Sequence, residues 1–154
     1  MNKKEIAINE IYSLIKEVVG SGGEFELYPK GTSMLPLIRE KKDSVILISP
    51  ETIKKGDIAF YIRDDGTFTL HRVVKVKNDI FTMCGDNQFV LEDGIRKNQI
   101  FAKVKSIKRD GVVFEANDKI YKKYLKKLPR MRFKRKARSF LSKIKRKFIK
   151  KPTE

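Results

Sequence analysis

Apolar residues fall into three patterns along the chain. Ile11, Leu14, Ile15 and Val18 recur at helical spacing with Lys3, Lys4, Glu10 and Lys16 on other faces, which predicts one amphipathic helix over residues 4–19. Gly20-Ser21-Gly22-Gly23 ends it. From Phe25 the pattern changes to short β-type runs over 25–28, 44–48, 57–63, 67–77, 80–83, 102–108 and 112–115. Turn signals separate them, notably Asp64-Asp65-Gly66, Asn78-Asp79 and Arg109-Asp110-Gly111. Short strands with frequent turns behind one helix predict a mainly β domain, either a coiled sheet or a barrel. No internal repeat is present.

The third pattern begins at Lys119. Tyr121, Tyr124, Leu125 and Leu128 precede Pro129, and Phe133, Ala137, Phe140, Leu141, Ile144 and Phe148 then lie near one helical face. This predicts a basic amphipathic helix, or two broken at Pro129. The charge changes at the same point. The whole chain of 154 residues carries a net charge of +17, of which residues 1–118, with 19 Lys/Arg and 18 Asp/Glu, hold +1. Residues 119–154, with 17 Lys/Arg and one acid, Glu154, hold +16. A neutral body with a basic tail suggests an appended attachment segment rather than a globally nucleic-acid-binding fold. The expected organisation is therefore an N-terminal helix and Gly-rich break over 1–24, a body over 25–118 and a basic tail over 119–154. Phe and Leu interleaved with Lys and Arg favour an anionic membrane surface as the tail's partner. Nucleic acid stays open, because counterion release rewards the same charge.

With 40% hydrophobic residues the chain has material for one core, so wholesale disorder is excluded. Cys84 has no partner cysteine, so an intramolecular disulfide is impossible, and a buried small hydrophobe is its expected role. No apolar run is long enough to cross a membrane, and the N-terminus has no apolar core of the secretory kind. One His and one Cys assemble no zinc site, and no cofactor is expected.

Three clusters bear chemistry. Gly31-Thr32-Ser33-Met34-Leu35-Pro36-Leu37 offers a hydroxyl, which needs a general base and oxyanion donors before it can act as a nucleophile. The single His, His71, lies in Thr69-Leu70-His71-Arg72-Val73-Val74, in the middle of an alternating strand. Cys84-Gly85-Asp86-Asn87-Gln88 is followed by Glu92-Asp93-Gly94. Taken singly these are an ordinary loop, a strand His and a turn.

In order along the chain they say more. Gly-x-Ser-Met-x-Pro at 31–36, Asp43 with the apolar strand 45–48, Lys-Lys-Gly-Asp-Ile-Ala-Phe at 54–60, His-Arg-Val-Val at 71–74 and Gly-Asp-Asn at 85–87 resemble the type I signal peptidases. The likeness is to the branch found in archaea and the endoplasmic reticulum, in the larger group that includes LexA-type self-cleaving repressors, and it spans about residues 25–108. The resemblance implies a serine endopeptidase on a mainly β fold, with Ser33 as nucleophile and its backbone N–H as oxyanion donor. It implies His71 as general base where other branches use Lys. For the acid that orients His71 it offers Asp86 and, after a shift, Asp93 or Glu92, with Asp93 favoured as orienter and Asp86 as support. The implied substrate is a signal or leader peptide, or a peptide precursor, with small residues before the cut and bound as an added strand.

The chain departs from that pattern in two places. Helix 4–19 stands where a transmembrane anchor is usual, and Gly31 stands where the motif has a Ser. A peripheral attachment through residues 119–154 would replace the anchor, with the cytoplasmic side as the default location. Two other functions stay in view. One is an inactive peptidase-fold module tethered to membrane or nucleic acid. The other is a LexA-type regulator, which requires a helix-turn-helix that residues 1–24 have no room for.

Overall fold

The computed structural model describes residues 3–115 and 118–149. The side chains of Lys3, Lys4 and Phe148 and the last five residues of the tail, Glu154 among them, lie outside the described residues. Helix α1 (Lys3–Gly20) leads into strands β1 (Phe25–Leu27), β2 (Ser44–Ile48), β3 (Ile58–Ile62), β4 (Phe68–Lys77), β5 (Ile80–Cys84), β6 (Glu92–Arg96), β7 (Ile100–Arg109) and β8 (Val112–Glu115), and helix α2 (Lys119–Ile149) follows. The strands form one antiparallel sheet in the order β1-β2-β7-β3-β4-β5-β6, with β8 paired to β7. Among the described residues β1 and β6 do not pair, so the sheet is open and the barrel alternative is set aside. No described helix is long and apolar enough to cross a membrane.

Both faces of the central strands are buried. Ile58 and Phe60 join one core cluster with Ile15, Val19, Val45, Leu47, Leu70 and Phe101, while Ala59 and Tyr61 join a second with Val73, Phe81, Met83 and Ile95. This explains why β3 reads as a continuous apolar run and not as an alternating one. Helix α1 covers the first cluster with Ile15 and Val19, and Tyr12 stacks edge-on against Phe101 at 4.7 Å. Its buried stripe is thus rotated from the one its sequence predicts, leaving Ile11 and Leu14 about half exposed.

The hairpin joining β3 to β4 follows from the Asp64-Asp65-Gly66 turn, with Gly66 at φ +81°. Its register sets Ala59 opposite His71 and Tyr61 opposite Thr69. The segment Glu92-Asp93-Gly94-Ile95-Arg96 has little strand character in its sequence, yet it forms β6. Pairing to β5 and burial of Ile95 make it a strand.

Helix α2 runs through Pro129 unbroken by any described gap, against the two-helix alternative. Proline lacks the N–H that would bond to the Leu125 carbonyl, which normally breaks a helix. Here packing on both sides compensates: Tyr121 and Leu128 are buried before the proline, and Arg132 and Arg135 bond to the body after it.

Candidate functional site

Ser33 lies in the loop between β1 and β2, and His71 in β4. Both line one cavity of about 260 Å³, together with Gly31, Met34, Arg63, Thr69 and Gln88. Gly31 takes φ +90°, a conformation that glycine adopts freely, which gives a backbone reason for finding it where the motif has a Ser.

The far end of the Ser33 loop is fastened by Asp43, which is fully buried. Its carboxylate accepts from the Arg39 guanidinium at 2.7 Å and from Arg109 at 3.0 Å, and Arg109 also donates to the Pro36 carbonyl at 2.7 Å. Burial pushes the Asp43 carboxyl up, but these hydrogen bonds outweigh it and hold the group down at about 2.

The near end is fastened by the Gly85-Asp86-Asn87 turn. Asn87 N–H donates to the Ser33 carbonyl at 2.7 Å, and Asn87 Nδ2 donates to the Thr32 carbonyl at 3.1 Å. A Cβ at position 85 would sit 2.7 Å from that Ser33 oxygen, so only glycine permits the approach.

His71 is 4% exposed. Its Nδ1 lies 3.3 Å from the Tyr61 hydroxyl and 3.7 Å from Glu92 Oε2. Tyr61 donates its own proton to Glu92 at 2.7 Å, and Arg63 grips both oxygens of that carboxylate at 2.7 and 2.8 Å. With the Tyr61 proton spent, its oxygen is left to accept from His71 Nδ1–H, which assigns the imidazole lone pair to Nε2. Nε2 makes no hydrogen bond among the described residues. Burial, reinforced by the Arg63 charge and opposed by Glu92 and Asp86, pulls His71 down to about 4. At neutral pH it is therefore uncharged, the form a general base requires. Burial pushes the Glu92 carboxyl up, but Arg63 and Tyr61 overcome this and hold it below its ordinary value. The Tyr61 phenol is raised by burial and by Glu92, so it stays protonated.

Glu92 is thus the acid beside His71. The other two acids sit elsewhere. Asp93 accepts from Thr82 Oγ1 at 2.6 Å. Asp86, 0% exposed, accepts from Arg72 at 2.7 and 2.6 Å and from the Tyr124 hydroxyl at 3.0 Å, with Arg132 at 3.6 Å. Breaking such a buried pair by removing one partner costs about 3–5 kcal/mol. Cys84 is buried beside it, and burial pushes its thiol up, away from thiolate chemistry.

Ser33 Oγ and His71 share the cavity without a hydrogen bond between them among the described residues. Thr69 Oγ1, buried in the same wall, has no hydrogen-bond partner among the described residues. No three His, Cys, Asp or Glu side chains among the described residues cluster as a metal site would need. Sequence reasoning missed Tyr61 and Arg63, although the hairpin register, with Ala59 opposite His71, would have found Tyr61 diagonally across from the histidine. It also misses Tyr124, Arg132 and Arg135, which lie within the basic tail of the sequence and bond to the body. No protein-family model matches the chain, and no curated protein matches it.

Proposed function

We propose that the protein is a serine endopeptidase of the signal-peptidase type, cleaving a signal or leader segment or a peptide precursor. The observation that supports this best is the cavity that Ser33 shares with a buried, neutral His71 whose Nε2 has no hydrogen-bond partner among the described residues. In the proposed reaction Ser33 Oγ attacks the scissile carbonyl carbon as His71 Nε2 takes its proton, and the Ser33 N–H stabilises the oxyanion. The imidazolium, stabilised by Glu92 through Tyr61, returns the proton to the leaving amine. Water then hydrolyses the acyl-enzyme by the same proton path. The Ser33–His71 contact closes when an extended peptide fills the cavity, since such hydrogen bonds commonly tighten only in the substrate complex.

The test is cleavage of a peptide library read by mass spectrometry. Ser33→Ala and His71→Ala should each lower turnover by about a thousand-fold or more without changing the fold. Turnover retained in Ser33→Ala would remove the nucleophile assignment.

The anionic membrane surface is the partner we assign to the outer half of α2. There Phe133, Phe140 and Leu141 are exposed among cationic side chains. Anionic vesicles should bind the full chain in a salt-sensitive way, and Phe133→Ser with Phe140→Ser should weaken that binding at unchanged charge. If the double variant binds vesicles as well as the parent, the apolar contribution is absent and charge alone, as with nucleic acid, explains the tail.

A further inference from the structure

We propose that Arg135 on α2 is a positioning residue for Ser33, an inference that rests on the peptidase reading above. A peptide unit is planar, with its C=O and N–H pointing to opposite sides. Arg135 Nη1 donates to the Asp86 carbonyl at 2.5 Å. The other side of that same peptide is the Asn87 N–H, which donates to the Ser33 carbonyl at 2.7 Å. A guanidinium on the carbonyl strengthens the N–H as a donor, because hydrogen bonds in series polarise one another. The Asn87 side chain meanwhile holds the Thr32 carbonyl, and the opposite side of that peptide is the Ser33 N–H, the proposed oxyanion donor. Arg135 therefore acts through Asn87 on both peptides that flank the nucleophile.

The rest of α2 holds this relay in register. Tyr121, Tyr124, Leu128, Arg132 and Arg135 follow helical spacing along one face. Tyr121 Oη accepts from Arg72 at 2.9 Å, Tyr124 donates to Asp86, and Arg132 donates to the Cys84 carbonyl at 3.3 Å. The segment Cys84-Gly85-Asp86 is thus gripped by Tyr124, Arg132 and Arg135 of one helix, and it passes so near Ser33 that a Cβ at position 85 would lie 2.7 Å from the Ser33 carbonyl oxygen. Arg138, exposed on the same helix, carries the same charge and has no part in the relay.

Arg135→Met, Arg135→Lys and Arg138→Met in the full chain test this. Arg135→Met should lower kcat about ten- to a hundred-fold with KM within about two-fold of the parent, at a temperature where the variant is still fully folded. Arg135→Lys should restore most of the loss, and Arg138→Met should behave as the parent. Hydrogen exchange at the Asn87 amide is the second readout, taken also in the Ser33→Ala chain, where turnover has no bearing. Arg135→Met should speed it about ten-fold or more, and Arg138→Met should not. Unchanged exchange at Asn87, equal kcat in Arg135→Met and Arg138→Met, or a kcat loss that disappears where the variant is fully folded would each overturn the proposal. If the parent chain cleaves no peptide, the peptidase reading fails, while the exchange rates still decide whether Arg135 holds the Asn87 peptide.

Discussion

Asp86 and Glu92 flank the same short apolar segment, Phe89-Val90-Leu91, and each grips an arginine, yet they stand in opposite relations to the site. Asp86 is fully buried and its oxygens are occupied by Arg72 and Tyr124, with Arg132 close by. Glu92 is partly exposed, and one of its two partners is a neutral tyrosine within reach of His71. A carboxylate saturated by fixed cations serves as scaffold, and the Asp86 charge raises the proton affinity of His71 less than that of Glu92 does. One that reaches a histidine through a phenol can still adjust that histidine's proton affinity.

The contrast breaks most readily at Asp86. Asp86→Ala would leave the buried Arg72 guanidinium unanswered and should destabilise the chain by about 3–5 kcal/mol in urea unfolding. A loss below about 1 kcal/mol would mean that Asp86 is not the anchor. The next effect concerns His71, whose folded value near 4 lies below the unfolded 6.5. The unfolded chain binds the extra proton between these values, so stability is full above pH 6.5 and falls as pH drops towards 4. The loss should be on the order of 3 kcal/mol, and His71→Gln should flatten that slope.

Smaller still are shifts in the acid limb of the proposed cleavage, which should rise with pH as His71 loses its proton. Glu92→Gln removes a negative charge that holds the proton on and should move the limb to lower pH. Arg63→Met removes a positive charge that drives it off and should move it to higher pH. Movement of both variants in the same direction would break the assignment of Glu92 as the tuning acid. Asp93→Asn should do least, changing stability by about 0.5–1 kcal/mol and leaving the pH profile in place. A shift matching that of Glu92→Gln would return Asp93 to the orienting role its sequence position suggests.

What was legible in the sequence was whatever is decided locally. The hairpin at Asp64-Asp65-Gly66, the strand bearing His71 and the leading helix all follow from turn chemistry and periodicity. Strand β6 does not, because its pairing to β5 comes from tertiary contacts and not from the propensity of Glu92-Asp93-Gly94. The same gap hid the choice of acid. Asp86, Glu92 and Asp93 are chemically interchangeable on paper, and only the neighbours supplied by other elements, Arg63 and Tyr61 on one side and Arg72 and Tyr124 on the other, separate them. Helix α2 was hardest to read, since a basic residue that bonds to a buried carbonyl looks no different in sequence from one that faces solvent.

Gly85 carries one more consequence. Its missing side chain is the space in which the Ser33 carbonyl oxygen and the Gln88 side chain sit, at 2.7 and 2.8 Å from where a Cβ would be. One methyl group there would press on the Ser33 carbonyl and displace the Ser33 loop or the Gly85 turn. In evolutionary terms the chain can therefore lose its proposed chemistry by a glycine-to-alanine change, with Ser33 and His71 still in place, so retention of that pair in a descendant does not by itself certify an active enzyme.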